Sequence, residues 1–195
     1  MNLLKTIYAL ALMILFLMPY ANFAQVKDAN GNEYKIVKIG NQTWMAENLN
    51  YATGNSWCYD DNPSNCYIYG RLYDWKTALN ACPSGWHLPS EKEWEEMIDL
   101  LGGKDIAGGK LKKTSGWPPP NKDATNSSGF SGLPGGGRGY KGQYMRINRY
   151  GYWWSATESS SSSDARNYYM NTNVGRIIKN SSQKNFGLCV RCLKN

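Results

Sequence analysis

The chain has 195 residues, about the size of one domain with a core large enough to stand alone, and a formal net charge of +7. Eight Trp and 14 Tyr suit either a core built from few regular elements or a sugar-stacking surface. A single His leaves zinc without a ligand set.

Met1–Ala24 has the order of a secretory signal: Lys5 as the only charge, an apolar run from Ile7 to Met18, then Pro19 and the small-residue end Ala21-Asn22-Phe23-Ala24. An apolar core of roughly a dozen residues falls short of the ~20 needed to span hydrocarbon. The chain is therefore expected to be exported and cut after Ala24, leaving Gln25–Asn195 as one domain with no transmembrane segment. No Cys follows the cut, which argues against a lipid anchor. From Gln25 to Gly103 there are 11 acids against 6 Lys and Arg; from Lys104 to Arg149 there are 9 basic residues and only Asp105 and Asp123. A basic middle suits an anionic polysaccharide, a lipid surface or a solvated loop, and export makes nucleic acid the poorest fit.

Asp28–Asn32 reads as a turn, too short and lacking the terminal Glu for an EF-hand calcium loop. Tyr34–Ile39 and Gln42–Met45, joined by Gly40-Asn41, form a predicted β-hairpin. The spacing of Leu72, Trp75, Ala78 and Leu79 predicts a helix from near Leu72 to Ala81. Ser90 and Glu93 form a capping box, followed by the stripe Trp94, Met97, Ile98, Leu101 and a stop at Gly102-Gly103. The Glu91, Glu93, Glu95, Glu96 cluster is expected to be a solvated face favoured by the helix dipole, not an acid-base site.

From Gly102 to Tyr152 periodicity is lost, and long loops are expected, of the kind that carry function. Gly135-Gly136-Gly137 lacks the ending and helix of a phosphate loop. Tyr152–Thr157, Asn167–Met170, Gly175–Lys179 and Phe186–Leu193 read as short strands, with a flexible Ser159–Ser163 connector. The expected class is α+β: two helices packed on short antiparallel strands with long loops, the two ends meeting in one sheet.

Five cysteines in an oxidising compartment leave one over. The turn formers between Cys58 and Cys66 let that pair close a local loop. Cys82 then pairs with either Cys189 or Cys192. The C-x-x-C formed by Cys189 and Cys192 lies in an expected strand, not at a helix N-terminus, which disfavours redox chemistry.

Gly40-Asn-Gln-Thr-Trp-Met-Ala-Glu-Asn-Leu49, Gly70-Arg-Leu-Tyr-Asp-Trp75, Cys82-Pro-Ser-Gly-Trp-His-Leu-Pro-Ser90, Glu93-Trp94, Ser128-Gly-Phe130, Trp154-Ser-Ala-Thr-Glu158 and Val190-Arg-Cys192 together resemble the Fibrobacter succinogenes major paralogous domain. The resemblance spans essentially the whole exported chain. That family is similar, more distantly, to the C-type-lectin-like fold of formylglycine-generating enzymes, where a Leu-Pro-Thr-x-x-Glu-Trp segment opens a helix as Leu88–Trp94 does here. The resemblance implies a surface or secreted module without established activity, with Cys58 bonded to Cys66, Cys82 to Cys192, and Cys189 as the unpaired thiol. The calcium–sugar motifs of lectins and the catalytic cysteine segment of the oxidase are missing, so no metal, cofactor or catalytic residue is carried over.

The leading functional expectation is a non-catalytic module for polysaccharide or a cell-surface protein, with Trp117, Arg138, Tyr140, Tyr144, Arg146 and Trp153 as candidate ligand contacts, since aromatic faces stack on sugars and Arg supplies forked donors. The alternatives are a diverged enzyme with Cys189 as a reactive thiol and an assembly protein whose basic loops meet an acidic partner.

Overall fold

The structure is a computed structural model and describes residues 25–195; the expected leader lies outside the described residues. It opens with β1 (Gln25–Lys27), β2 (Glu33–Ile39) and β3 (Gln42–Met45). The β2–β3 hairpin turns at Gly40-Asn41, with Ile39 opposite Gln42 and Val37 opposite Trp44. The β1–β2 turn is held by the Asp28 carboxylate, which accepts from the Asn30 and Asn32 amides (2.8 and 3.0 Å), the Asn32 side chain (2.8 Å) and the Tyr34 hydroxyl (2.5 Å). With its oxygens spent on the turn, this loop is a turn and not a cation site.

Next come β4 (Ser56–Trp57), a 3-10 turn (Tyr59–Asp61), α1 (Pro63–Tyr69), β5 (Leu72–Tyr73), α2 (Trp75–Ala78) and β6 (Trp86–His87). The expected helix over 72–81 is corrected here. Leu72 and Tyr73 are extended, paired with Trp57 and Ser56 on one side and with Cys189 and Leu188 on the other. The helix starts only after Asp74, whose side chain accepts from the Thr77 amide at 2.8 Å. An apolar spacing that fits a helix is used instead to bury two residues in a sheet. α1 had no periodic signal, but Asn62 caps it by accepting from Ser64 at 3.0 Å, and Pro63 stands at its first turn, where a missing N–H costs nothing.

α3 (Glu91–Leu100) has the expected reciprocal capping box and buries Trp94, Met97 and Ile98. Its acidic face is less free than expected. Glu91 meets Lys179 at 2.9 Å and Arg166 at 3.3 Å, while Glu95 meets Lys179 at 3.2 Å and the Tyr168 hydroxyl at 2.8 Å. These contacts tie α3 to the sheet beside it. α4 (Lys104–Leu111) falls in the region expected to be irregular. Its glycines let it approach other backbone: a Cβ on Gly108 would sit 2.3 Å from the carbonyl carbon of Arg176. A helix chosen for close approach has no apolar stripe to announce it.

The remainder is β7 (Gly137–Arg138), β8 (Tyr144–Met145), β9 (Tyr150–Glu158), β10 (Asp164–Asn171), β11 (Ile178–Gln183), β12 (Leu188–Cys189) and β13 (Leu193–Lys194). One sheet has the order β1-β2-β3-β13-β6, the second β11-β10-β9-β12-β5-β4, and β7-β8 is a separate ribbon. The ends meet as expected, with Leu193 opposite Trp44. Phe186–Leu193 is not one strand, however. Cys189 lies beside Leu72 and Trp153 in the second sheet, Leu193 lies in the first, and the chain crosses between them at Val190-Arg191-Cys192. The class is α+β, sheet-rich, with four short helices among the described residues instead of two.

The second sheet separates two cores. Trp153 on β9 faces Trp44, Trp94, Phe130 and Tyr168; its neighbours Tyr152 and Trp154 face Tyr73, Trp75, Leu188 and Val190. This is the period-two alternation of a strand buried on both faces. The abundant Trp is mainly core: Trp44, Trp94, Trp153 and Trp154 are fully buried. Disulfides join Cys58 to Cys66 and Cys82 to Cys192, and Cys189 is the free thiol.

Candidate functional site

Where the chain crosses between sheets, it carries a charge inside. Arg191 is 1% exposed. Its Nε and Nη2 donate to Asn48 Oδ1 (3.1 and 2.8 Å), and Nη1 donates to the carbonyls of Met45 (3.1 Å) and Phe130, with the guanidinium 4.1 Å over the Phe130 ring. Asn48 Oδ1 also accepts from Trp153 Nε1 at 2.8 Å, and Asn48 Nδ2 donates to the Tyr69 carbonyl at 2.8 Å. Burial lowers the guanidinium to about 9, so it remains charged at neutral pH among neutral acceptors. Gly70 completes the packing: at φ +75°, a Cβ there would lie 2.7 Å from Asn48 Cβ.

Asn48 and Arg191 form the floor of a cleft of about 690 Å³. One wall is α1, whose Tyr67 and Ile68 are 85% and 56% exposed. The opposite sides are Asn32–Lys35 and Asn50 from the first hairpin and its continuation, and Lys113, Gly116, Ser131 and Leu133 from the long loops. α1 is anchored by the Cys58–Cys66 bond and by Asn65 donating to the Tyr59 carbonyl at 2.8 Å. Two apolar side chains are thus held out to solvent on a braced helix. Sequence reading missed them because a seven-residue helix shows no repeat; the Asn62-Pro63 start inside a short cystine loop was the available signal.

The six expected ligand contacts do not form one face. Trp117 is buried, donating to the Gly132 carbonyl at 2.8 Å, and lies 5.6 Å from the ammonium of buried Lys112. Lys112 itself donates to the carbonyls of Lys122, Asn171 and Val174 (2.7 to 3.1 Å); burial lowers it to about 8, so it is charged at neutral pH. Trp153 is fully buried. Both Trp are core residues, which removes them from any ligand surface. Arg138 stacks 4.2 Å over Trp57 and 5.8 Å over Tyr144, whose hydroxyl donates to Asp61 at 2.5 Å. Tyr140 stacks on Phe186 at 6.1 Å, beside the backbone pairing of Arg138 with Gly187. Arg146 lies elsewhere, 4.8 Å over Tyr150 and bonded to Tyr152 at 3.1 Å. Tyr150 and Tyr152 lie parallel with centroids 5.6 Å apart, and Tyr169 is tilted against both.

The reactive side chains are occupied structurally. Ser90, Glu93 and His87 are in contact, but the carboxylate is central: Glu93 accepts from Ser90 Oγ at 2.8 Å and meets His87 Nε2 at 2.9 Å. The imidazole cannot take the Ser90 proton, as a nucleophile–base pair requires. Burial would raise Glu93, but these bonds outweigh it and hold the carboxyl below its usual range. Cys189 is fully buried with Sγ 3.9 Å from the Tyr69 carbonyl, and burial pushes its thiol up to about 12. Among the described residues, no group of three or more His, Cys, Asp or Glu is placed to hold a metal ion.

The model of one family, the Fibrobacter succinogenes major domain, matches residues 37–194. The chain belongs to that family. Neither a curated protein nor a solved structure matches the chain. In this Fibrobacter succinogenes major domain, four of the seven motifs that carried the resemblance meet beneath the cleft: Asn48, Gly70, Phe130 and Arg191 come one from each and touch in the floor. No helix among the described residues is long and apolar enough to cross a membrane.

Proposed function

We propose that the protein is an exported, non-catalytic binding module that holds a polysaccharide in the cleft above Asn48 and Arg191. The observation that carries this reading is Tyr67, an aromatic ring left 85% exposed on a disulfide-braced helix at the edge of this cleft. Pre-organised aromatic surface is what sugar rings stack on, and a rigid wall limits the entropy lost on binding. Export is supported by the leader pattern of Met1–Ala24 and by two disulfides. A distant C-type-lectin-like ancestry is supported by Leu88–Trp94, which opens α3 with its capping box. The diverged-enzyme alternative has less support, because Cys189 is buried and its thiol is raised.

The test is a glycan array and polysaccharide pull-down with the exported chain and with Tyr67→Ala. Capture of a polysaccharide by the native chain, reduced at least about tenfold by Tyr67→Ala, is the expected result. No capture above background sinks the reading.

A further inference from the structure

The charge asymmetry seen in the sequence survives folding. Among the described residues, of the 9 basic residues between Lys104 and Arg149 only Lys122 has a carboxylate within 4.0 Å, its neighbour Asp123 at 3.7 Å. The cleft draws one wall from this segment. Lys113 is exposed there with no acidic partner, and Lys35 on the facing hairpin is likewise unpaired among the described residues. The two acids on the lining are partly spent: Glu33 bonds Lys27 at 2.7 Å, and Glu47 accepts from the Lys35 backbone amide at 2.9 Å. Beneath them lies Arg191, whose hydrogen-bond acceptors are all neutral oxygens, with the Glu47 carboxylate acting on its charge at a distance and not bonded to it.

We infer that the ligand of this cleft carries carboxylates: an acidic polysaccharide whose sugar ring stacks on Tyr67 and whose carboxylate lies between Lys35 and Lys113. This deepens the binding-module reading and rests on it. A neutral sugar would satisfy Tyr67 but leave an excess of positive charge on the lining, Lys35, Lys113 and Arg191 against Glu47, since Glu33 is paired with Lys27. A carboxylate answers both, and charge complementarity favours encounter as well as affinity.

Affinity electrophoresis of the exported chain through polygalacturonate, through the same polymer with its carboxyls reduced to alcohols, and through polyglutamate separates the outcomes. Retardation by polygalacturonate, at least about tenfold weaker in the reduced polymer and weakened by added salt, is expected. Lys113→Glu should lower affinity for polygalacturonate by about tenfold, and Lys141→Glu, the same charge change on the β7–β8 turn, by less than about twofold. Equal losses in the two variants would assign the effect to general basicity and overturn the site. Equal retardation by the reduced polymer overturns the carboxylate assignment while leaving the binding module standing. Retardation by polyglutamate alone overturns it in favour of an acidic protein partner. Silence in all three gels, with no hit on the array, removes the binding-module reading itself.

Discussion

The floor and the wall of one cleft are built on opposite principles. In the floor, Arg191, Asn48 and Trp153 spend their polar groups on one another and on backbone carbonyls. In the wall, Tyr67 and Ile68 offer their side chains to solvent and the bracing is left to a disulfide and a cap. A residue can therefore matter because it is fully used or because it is unused. Substitutions in the two places should separate stability from binding.

The largest effect is expected in the floor. Arg191→Leu leaves the Met45 and Phe130 carbonyls without their donor, and should cost about 3–5 kcal/mol in urea unfolding. A cost below about 1 kcal/mol would show that water replaces the guanidinium and that the floor is not locked. Next come the bridges. In the chain-entropy picture, losing the Cys82–Cys192 bond, with a separation of 110, should cost about 4.8 kcal/mol, against about 2.5 kcal/mol for Cys58–Cys66, with a separation of 8. The local bridge should nonetheless weaken polysaccharide capture more, since it braces α1; equal binding losses would remove that distinction.

Cys189 sharpens the contrast by a smaller, chemical effect. Alkylation needs the thiolate, and a thiol held near 12 is ionised to only about one part in ten thousand at pH 8. The native protein should resist iodoacetamide at pH 8 and show one labelled site per chain after denaturation without reductant; fast native labelling would mean an open route to β12. Smallest of all, Tyr67→Ala should move unfolding stability by less than about 0.5 kcal/mol while reducing capture, and a large loss of stability would make Tyr67 part of the fold.

Much of the scaffold was legible in the sequence because it is local. The Gly40-Asn41 hairpin and the Ser90–Glu93 capping box are short-range signals answered by short-range bonds. The disulfide pairing came from the family resemblance. Illegible were the elements decided by distant partners. Leu72 and Tyr73 look helical until β4 and β12 arrive on either side, and Phe186–Leu193 looks like one strand until its two ends join different sheets. The cleft was the least visible part. Its floor is assembled from residues as far apart as Asn48 and Arg191, and aromatic content alone could not distinguish Trp153, which is core, from Tyr67, which is not.

The crossing at Val190-Arg191-Cys192 also sets an order of events. β12 and β13 complete the two sheets, and they leave the ribosome after every other strand of the domain. Until they emerge, Asn48 has no Arg191, Cys82 has no Cys192 and β3 has no neighbour on its far side. Nascent chain lacking this segment should stay loose, sensitive to protease and threadable. For an exported chain, as proposed above, a keystone made last would keep the rest threadable through a translocation channel.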